Sequence, residues 1–194
     1  MKTSDTETKK TLAELLTAYG VKVHARFFGV FREAADKKTG EPGWPHLEFD
    51  VTVERGKDKI KTPYKLGTGH IRPMPKLLRL ETHAMRSVHE ALLKNPHARI
   101  KPEYEAEERA VYEAAARHIK LAPKPADVMH SLLLDGAAYF DGLTFEDWCA
   151  EYDMGTDSRK AEAAYRQCDE TGRKLTRMFT PEQLAALREA AAEY

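Results

Sequence analysis

The stretch from Thr144 to Phe179 reads TFEDWCAEYDMGTDSRKAEAAYRQCDETGRKLTRMF, and it decides the fold of the C-terminal part of the chain. Thr144 with Asp147 three residues later is a helix-capping pair, and apolar side chains then recur at helical spacing. Gly155 permits a turn, Asp157 caps a second helix, and one apolar face continues to Phe179. We therefore predict two packed helices joined by a tight polar turn, an arrangement that specifies an architecture and names no reaction.

Helical periodicity extends on both sides of this pair. Upstream it predicts helices over residues 75–94 and 103–119 and a third that begins at Pro125. Downstream, Thr180–Gln183 forms a capping box with proline at the first helical position, which opens a last helix. Gly172 lies inside a helical stripe, where glycine costs about 1 kcal/mol relative to alanine. A close helix crossing and plain tolerance both remain open as explanations of that glycine.

The N-terminal third has a different pattern. A capping box at Ser4–Glu7 precedes a short apolar helix that ends at Gly20. Residues 21–27 then alternate between apolar and polar side chains, as a half-buried strand does. Residues 47–64 read as a β-hairpin, whose second strand lies at an edge or ends at Pro63, because proline lacks a ladder donor.

These patterns together predict an α+β fold, with a small antiparallel β-sheet and an N-terminal helix, followed by a mainly helical bundle. We place a domain boundary between an N-terminal α+β region, residues 1–70, and a helical region, residues 71–194. Within the helical region, residues 71–122 form an inserted helical pair and residues 123–194 form the bundle. Exposed faces of the 75–94 and 103–119 helices leave a homodimer open.

Composition excludes several classes of protein. The 194 residues contain 31 Lys+Arg and 31 Asp+Glu, so neither a whole-molecule DNA mimic nor a uniformly basic nucleic-acid coat is expected. The two cysteines, Cys149 and Cys168, fit reduced core residues in a cytoplasmic protein better than a disulfide between the helices. No apolar run approaches about 18 residues, so we expect a soluble cytoplasmic protein of the cell in which it is made, without membrane binding.

A basic segment follows the first strand of the hairpin. Strand parity would project Lys57, Lys59 and Lys61 from one face, and the Gly-x-Gly-His turn at 67–70 offers free backbone N–H groups. Such a surface suits phosphates, but lysines also protect sheet edges from aggregation, and both interpretations remain open. The candidate nucleic-acid or partner-binding residues are Arg55, Lys57, Lys59, Lys61, Tyr64, Lys65, His70 and Arg72.

A second candidate surface is acidic and surrounds the turn between the two C-terminal helices. We call it the acidic elbow and define it by Asp141, Asp147, Glu151 and Asp153. These carboxylates either bind a basic partner or serve locally as helix caps.

No catalytic residue, cofactor or metal site is predicted, because the histidines are scattered and no known ligand spacing occurs. We therefore favour a binding protein, while an enzyme built around His70 or His130 remains an alternative.

Two segments carry a resemblance to a family. They are IKTPYKLGTGH, residues 60–70, and the run from Asp127 that contains FEDWC at 145–149 and DSRKAE at 157–162. Together they resemble small proteins encoded by bacteriophages and other mobile elements, in which a hairpin with a Gly-x-Gly-His turn leads directly into the two helices. The similarity covers residues 47–70 and 123–179, whereas residues 71–122 have no counterpart.

The resemblance implies a phage accessory protein without catalytic residues. Proteins of that kind often inhibit bacterial defence, anti-CRISPR proteins among them, by binding a nuclease complex. We therefore expect a non-enzymatic inhibitor of a CRISPR-type defence complex, with the acidic elbow or the basic segment at the interface. The alternative is a nucleic-acid-binding accessory protein that uses the basic residues between 55 and 79, and such binding would weaken with salt.

Overall fold

The structure, a computed structural model, describes residues 10–35, 39–40 and 43–194. It has an α+β fold with a three-stranded antiparallel sheet in the order β1-β2-β3, which confirms the predicted fold class. The strands are β1 (Lys22–Arg32), β2 (Pro45–Arg55) and β3 (Asp58–Gly67). The third strand lies at a sheet edge and continues through Pro63, where the missing N–H donor is tolerated.

Helices account for most of the remaining described chain. They are α1 (Leu12–Ala18), α2 (His83–Lys94), α3 (Glu105–His118), α4 (Pro125–Asp135), α5 (Ala137–Phe140), α6 (Phe145–Glu151), α7 (Arg159–Met178) and α8 (Pro181–Ala192). Short 3₁₀ turns occupy Thr68–Ile71 and Pro102–Tyr104. Within the described ranges, every helix is too short or too polar to cross a lipid bilayer.

The chain divides into two compact units. Unit 1 comprises residues 1–24, 52–61 and 124–194, and unit 2 comprises residues 25–51 and 62–123. Each strand of the sheet contributes residues to both units. The domain boundaries predicted at residues 70 and 122 remain predictions.

Unit 1 is built on capped helices. A capping box of Thr11 and Glu14 opens α1, whereas the box predicted at Ser4–Glu7 lies outside the described residues. Thr144, Ser158 and Thr180 each accept a hydrogen bond from a backbone N–H of the helix that follows. The cap predicted at Asp157 is wrong by one residue, because the Ser158 hydroxyl is the group that accepts from the Ala161 N–H. The helices predicted from this part of the sequence are therefore confirmed, because each start has its own local stabilisation.

A close crossing between α5 and α7 explains Gly172. A Cβ atom placed on Gly172 would lie 2.4 Å from Cβ of Tyr139, a distance that real side chains do not adopt. The predicted close helix crossing is thus observed, and only glycine fits there. Beside it, Trp148 and Cys149 form a buried cluster with Ala138 and Ala161, and both cysteines carry free thiols.

Unit 2 contains the clearest failure of the sequence prediction. The helix predicted over residues 75–94 begins only at His83, because Thr82 caps it by accepting a hydrogen bond from the Met85 N–H. The Pro75 carbonyl accepts instead from Nε2 of the buried His89, at 2.7 Å. Leu77, which fitted the helical stripe, is 82% exposed. Helices α2 and α3 pack against each other within this unit.

Candidate functional site

A cleft of about 250 Å³ in unit 2 brings together side chains from five segments of the chain. These segments are the end of β1, residues 43–45 at the start of β2, residues 68–72 after β3, residues 96–100, and α3. We call it the arginine cleft. Its polar and aromatic lining consists of Arg32, Trp44, Thr68, Arg72, His97, Arg99, Glu108 and Tyr112.

Arg32 forms the fixed part of the cleft. Its guanidinium donates to the Gly43 carbonyl at 2.7 Å and to the Glu108 carboxylate, while Glu105 lies 3.8 Å from its Nε. Gly43 must be glycine, because a Cβ atom there would lie 2.3 Å from the Glu33 carbonyl oxygen. The Arg32 charge is therefore balanced within the protein and serves to hold β1, β2 and α3 together.

Two buried ionisable groups of α3 face this cleft. Glu108 is only 4% exposed, and burial raises the pKa of its carboxyl, although the neighbouring Arg32 opposes the shift. Burial also raises the pKa of Tyr112, although the neighbouring Thr68 side chain opposes the shift. The phenol at the wall of the cleft therefore stays neutral.

Arg72 contributes a charge that its main contact does not neutralise. Its guanidinium nitrogens lie 2.8 Å from Nε2 and 3.0 Å from Nδ1 of His97. A neutral imidazole has one acceptor nitrogen, so Arg72 donates to one of these atoms at a time. Within the described part of the chain, no carboxylate forms an ion pair with Arg72. The contact orients the guanidinium and leaves its positive charge available.

The sum of these groups is a cationic cleft with an aromatic rim. Arg32, Arg72 and Arg99 line it, and the single carboxylate among the lining residues is that of Glu108. Trp44 lines the cleft and is 70% exposed, so its ring is accessible to a ligand. Guanidinium groups bind phosphate oxygens through paired hydrogen bonds, and an exposed indole stacks on planar rings.

The structure distributes the predicted basic segment over both units. Arg55, Lys57, Lys59 and Lys61 belong to unit 1, whereas Tyr64, Lys65, His70 and Arg72 belong to unit 2. Only Arg72 lines the arginine cleft. Lys57 lies in the β2–β3 turn and not on the strand, so the predicted row of three lysines on one face is reduced to Lys59 and Lys61.

Acidic side chains of β2 accompany the exposed basic side chains of its neighbours. In unit 1, Lys59 lies 2.7 Å from Glu54. In unit 2, Arg26 lies 2.6 Å from Asp50, and Lys65 lies 4.0 Å from Glu48. These cross-strand pairs give the two lysines a structural use, and they offset the local positive charge that phosphate binding on the open sheet would need.

Arg55 is engaged in the interior of unit 1. It donates to the Tyr19 carbonyl at 3.0 Å and to the Met178 carbonyl, and its guanidinium lies 5.0 Å from the centre of the Phe179 ring. His70, by contrast, is exposed within the 3₁₀ turn after β3, and Tyr64 is half-buried. The predicted basic set therefore includes structural and surface residues in one stretch of sequence.

The acidic elbow also contains both carboxylates with local partners and exposed carboxylates. Asp141 pairs with Arg188 at 2.5 Å, and Asp147 accepts from the Thr144 hydroxyl at 2.8 Å. Glu151 and Asp153 are exposed, and Asp153 has a φ of 50°. In the portion of the chain that the structure describes, neither of these two carboxylates has an ion-pair partner.

The two histidines considered for an enzymatic role belong to different units. His130 packs against the ring of Tyr194 in unit 1, and the Tyr194 hydroxyl donates to Asp127. His70 lies in unit 2. A search of the described residues finds no group of three or more His, Cys, Asp or Glu side chains that could hold a metal ion.

Sequence reasoning singled out Arg72 and missed most of the cleft. Arg32, Arg99 and Tyr112 lie far apart in sequence and share no spacing rule, so only the fold brings them together. One signal was present in the sequence: Trp44 stands between Gly43 and Pro45, where a large ring has no periodic partner.

The chain matches no protein-family model, no curated protein and no solved structure. The similarity to mobile-element proteins therefore remains a proposal that rests on the motifs quoted above.

Proposed function

We propose that this protein is a binding protein whose arginine cleft takes a phosphate-bearing ligand. The observation that carries the proposal is the convergence of three arginines and one carboxylate on a concave site with an exposed tryptophan at its rim. A concave pocket with a few converging polar groups is the usual form of a ligand site. Arg72 is the principal phosphate contact, since Arg32 is already balanced by Glu108.

The cleft favours phosphate over a carboxylate or an apolar ligand. Its volume of about 250 Å³ is below the range of about 300–1,000 Å³ that drug-sized ligands occupy. A compact anion with several acceptor oxygens fits this space and uses more than one guanidinium at once. Trp44 then meets any planar group attached to the phosphate.

Calorimetric titration with pyrophosphate, at low and moderate salt, tests this proposal. We expect saturable binding that Arg72→Gln weakens by about tenfold or more, as the loss of a charge-assisted hydrogen bond of about 1.5–3 kcal/mol requires. Lys57→Gln is the matched control, because it also removes one exposed basic charge but lies outside the cleft. Equal affinities for the wild type and Arg72→Gln would refute the proposal.

A second candidate function is inhibition of a CRISPR-type bacterial defence complex through the acidic elbow. It is supported by the resemblance to mobile-element proteins and by the exposed carboxylates of Glu151 and Asp153, which have no ion-pair partner among the described residues. Tyr152, between them, is 55% exposed and packs against Trp148. Glu151 ends α6, where a negative charge opposes the helix dipole, so its position is not explained by helix stability.

Phage plating on a defence-positive strain that expresses the protein tests this second function. Wild-type protein should restore plaques, and the double variant Glu151→Gln, Asp153→Asn should not, because both carboxylates are neutralised without a change of shape. Asparagine tolerates the positive φ at position 153. Glu90→Gln, which removes an exposed carboxylate from α2, is the control. If the double variant restored plaques as fully as the wild type, the elbow would be excluded as the interface.

A further inference from the structure

A second cavity adjoins the arginine cleft within unit 2. It has a volume of about 440 Å³ and runs along the first two turns of α2 and residues 99–104. Arg99 and Ile100 line both this groove and the arginine cleft, so the two cavities share a wall. The remaining residues that line it are His83, Ala84, Ser87, Val88, Ala91, Lys101 and Tyr104.

The groove shares two features with the cleft, which are exposed cations and an aromatic ring. Lys101 supplies a second exposed cation beside Arg99, and its pair with Glu103, at 3.7 Å, is long and open to solvent. Tyr104 provides an aromatic ring that is 41% exposed. It occupies the groove as the exposed ring of Trp44 occupies the cleft. The first turn of α2, a helix of 12 residues, also faces this space and adds the positive end of its dipole.

We propose that the arginine cleft and this groove together hold consecutive nucleotides of a single-stranded nucleic acid; the inference rests on the function proposed above for the cleft. Arg72, Arg99 and Lys101 contact successive phosphates along the shared wall. Trp44 and Tyr104 each stack on one base. Aromatic platforms alternating with cations are the general means by which proteins bind single strands without reading their sequence.

The dimensions favour a strand over a mononucleotide. The cleft alone has room for a phosphate and part of a sugar, whereas a larger and mostly apolar space opens directly beside it. A duplex would keep its bases stacked inside the helix and would leave both exposed rings without a partner. A single strand exposes every base face and satisfies the rings and the cations together.

Fluorescence anisotropy with labelled oligothymidylate and oligouridylate of one to eight nucleotides tests the proposal. Affinity should rise by at least tenfold between one and four nucleotides. Three cationic contacts give a slope of about −2 in log K against log salt, and Lys101→Gln should reduce it by about 0.7. Tighter binding of oligothymidylate would identify the strand as DNA, and tighter binding of oligouridylate would identify it as RNA.

Tyr104→Ala is the decisive variant, since Tyr104 precedes α3 without a side-chain capping bond and its removal leaves that helix start intact. It should weaken oligonucleotide binding by about fivefold or more, as the loss of one stacked base requires, and leave pyrophosphate binding unchanged. Tyr152→Ala, which removes a still more exposed tyrosine in unit 1, is the control and should change neither affinity.

The outcomes separate this inference from the function on which it rests. Oligonucleotides that bind no more tightly than one nucleotide, or a Tyr104→Ala variant with wild-type oligonucleotide affinity, would overturn the single-strand proposal. In that case, the cleft would still be supported as a phosphate site if Arg72→Gln bound pyrophosphate more weakly than the wild type. Pyrophosphate binding that is unaffected by Arg72→Gln would remove both proposals.

Discussion

Arg55 and Arg72 illustrate at the residue scale how one basic stretch serves two purposes. Both were candidates for binding on charge alone. The Arg55 guanidinium donates to two backbone carbonyls and lies over an aromatic ring, whereas the Arg72 guanidinium lines a cleft and contacts the His97 ring. Sequence charge therefore predicts where cations occur, but the partners of each cation decide whether it is available to a ligand.

We expect Arg55→Met to destabilise the protein by about 2 kcal/mol or more, because it leaves the carbonyls of Tyr19 and Met178 without their charged donor. Lys57→Met, in the exposed turn, should change the free energy of unfolding by no more than about 0.5 kcal/mol. Urea denaturation followed by circular dichroism measures both. Similar stabilities for the two variants would show that Arg55 has no structural role.

Glu108 gives the protein a pH-dependent stability. Its folded-state pKa is raised above the ordinary value of 4.5, so the unfolded chain loses this proton first as the pH rises. Stability should therefore fall as the pH rises from 4.5 through the raised pKa, because the folded protein holds this proton more tightly than the unfolded chain does. Denaturation across this range should show a decline that is absent from Glu108→Gln. Parallel profiles for the two proteins would contradict the assignment.

The starts of the helices show which parts of the fold the sequence could predict. Helices α4, α6, α7 and α8 were predicted correctly, since each start combines proline or a capping side chain with an apolar stripe. The start of α2 was placed too early because Leu77 and Leu80 fitted its stripe by chance. The capping residue, Thr82, was the better guide, since it marks where backbone donors need a partner.

The crossing of α5 and α7 depends on a single missing methyl group. Gly172→Ala gains about 1 kcal/mol of helix propensity, but its Cβ would lie 2.4 Å from Tyr139 and force the helices apart at a cost of about 2–3 kcal/mol. We expect a net destabilisation of about 1–2 kcal/mol by thermal or urea denaturation. Gly69→Ala, whose Cβ meets nothing within 4 Å, is the control and should be neutral. A stabilised Gly172→Ala would contradict the close crossing.

At the scale of the whole molecule, the fold class could be predicted from the sequence but the candidate site could not. Alternation and helical periodicity are local signals, and they suffice for an α+β assignment. The arginine cleft depends on contacts such as that between Arg32 and Glu108, which are 76 positions apart. No periodicity connects such residues, so a near-neutral chain with scattered arginines gave no sign that several would meet.

We propose that the arginine cleft binds a phosphate-bearing ligand, and the intrinsic fluorescence of Trp44 would report such binding without a label. The chain has two tryptophans, and Trp148 is buried in unit 1, so a change at the exposed Trp44 can be resolved. Titration with adenosine diphosphate should quench the emission saturably, and pyrophosphate should reverse the quenching. The change should vanish in Trp44→Phe. Unchanged emission at millimolar nucleotide and low salt, or the same quenching in Trp44→Phe, would contradict the account.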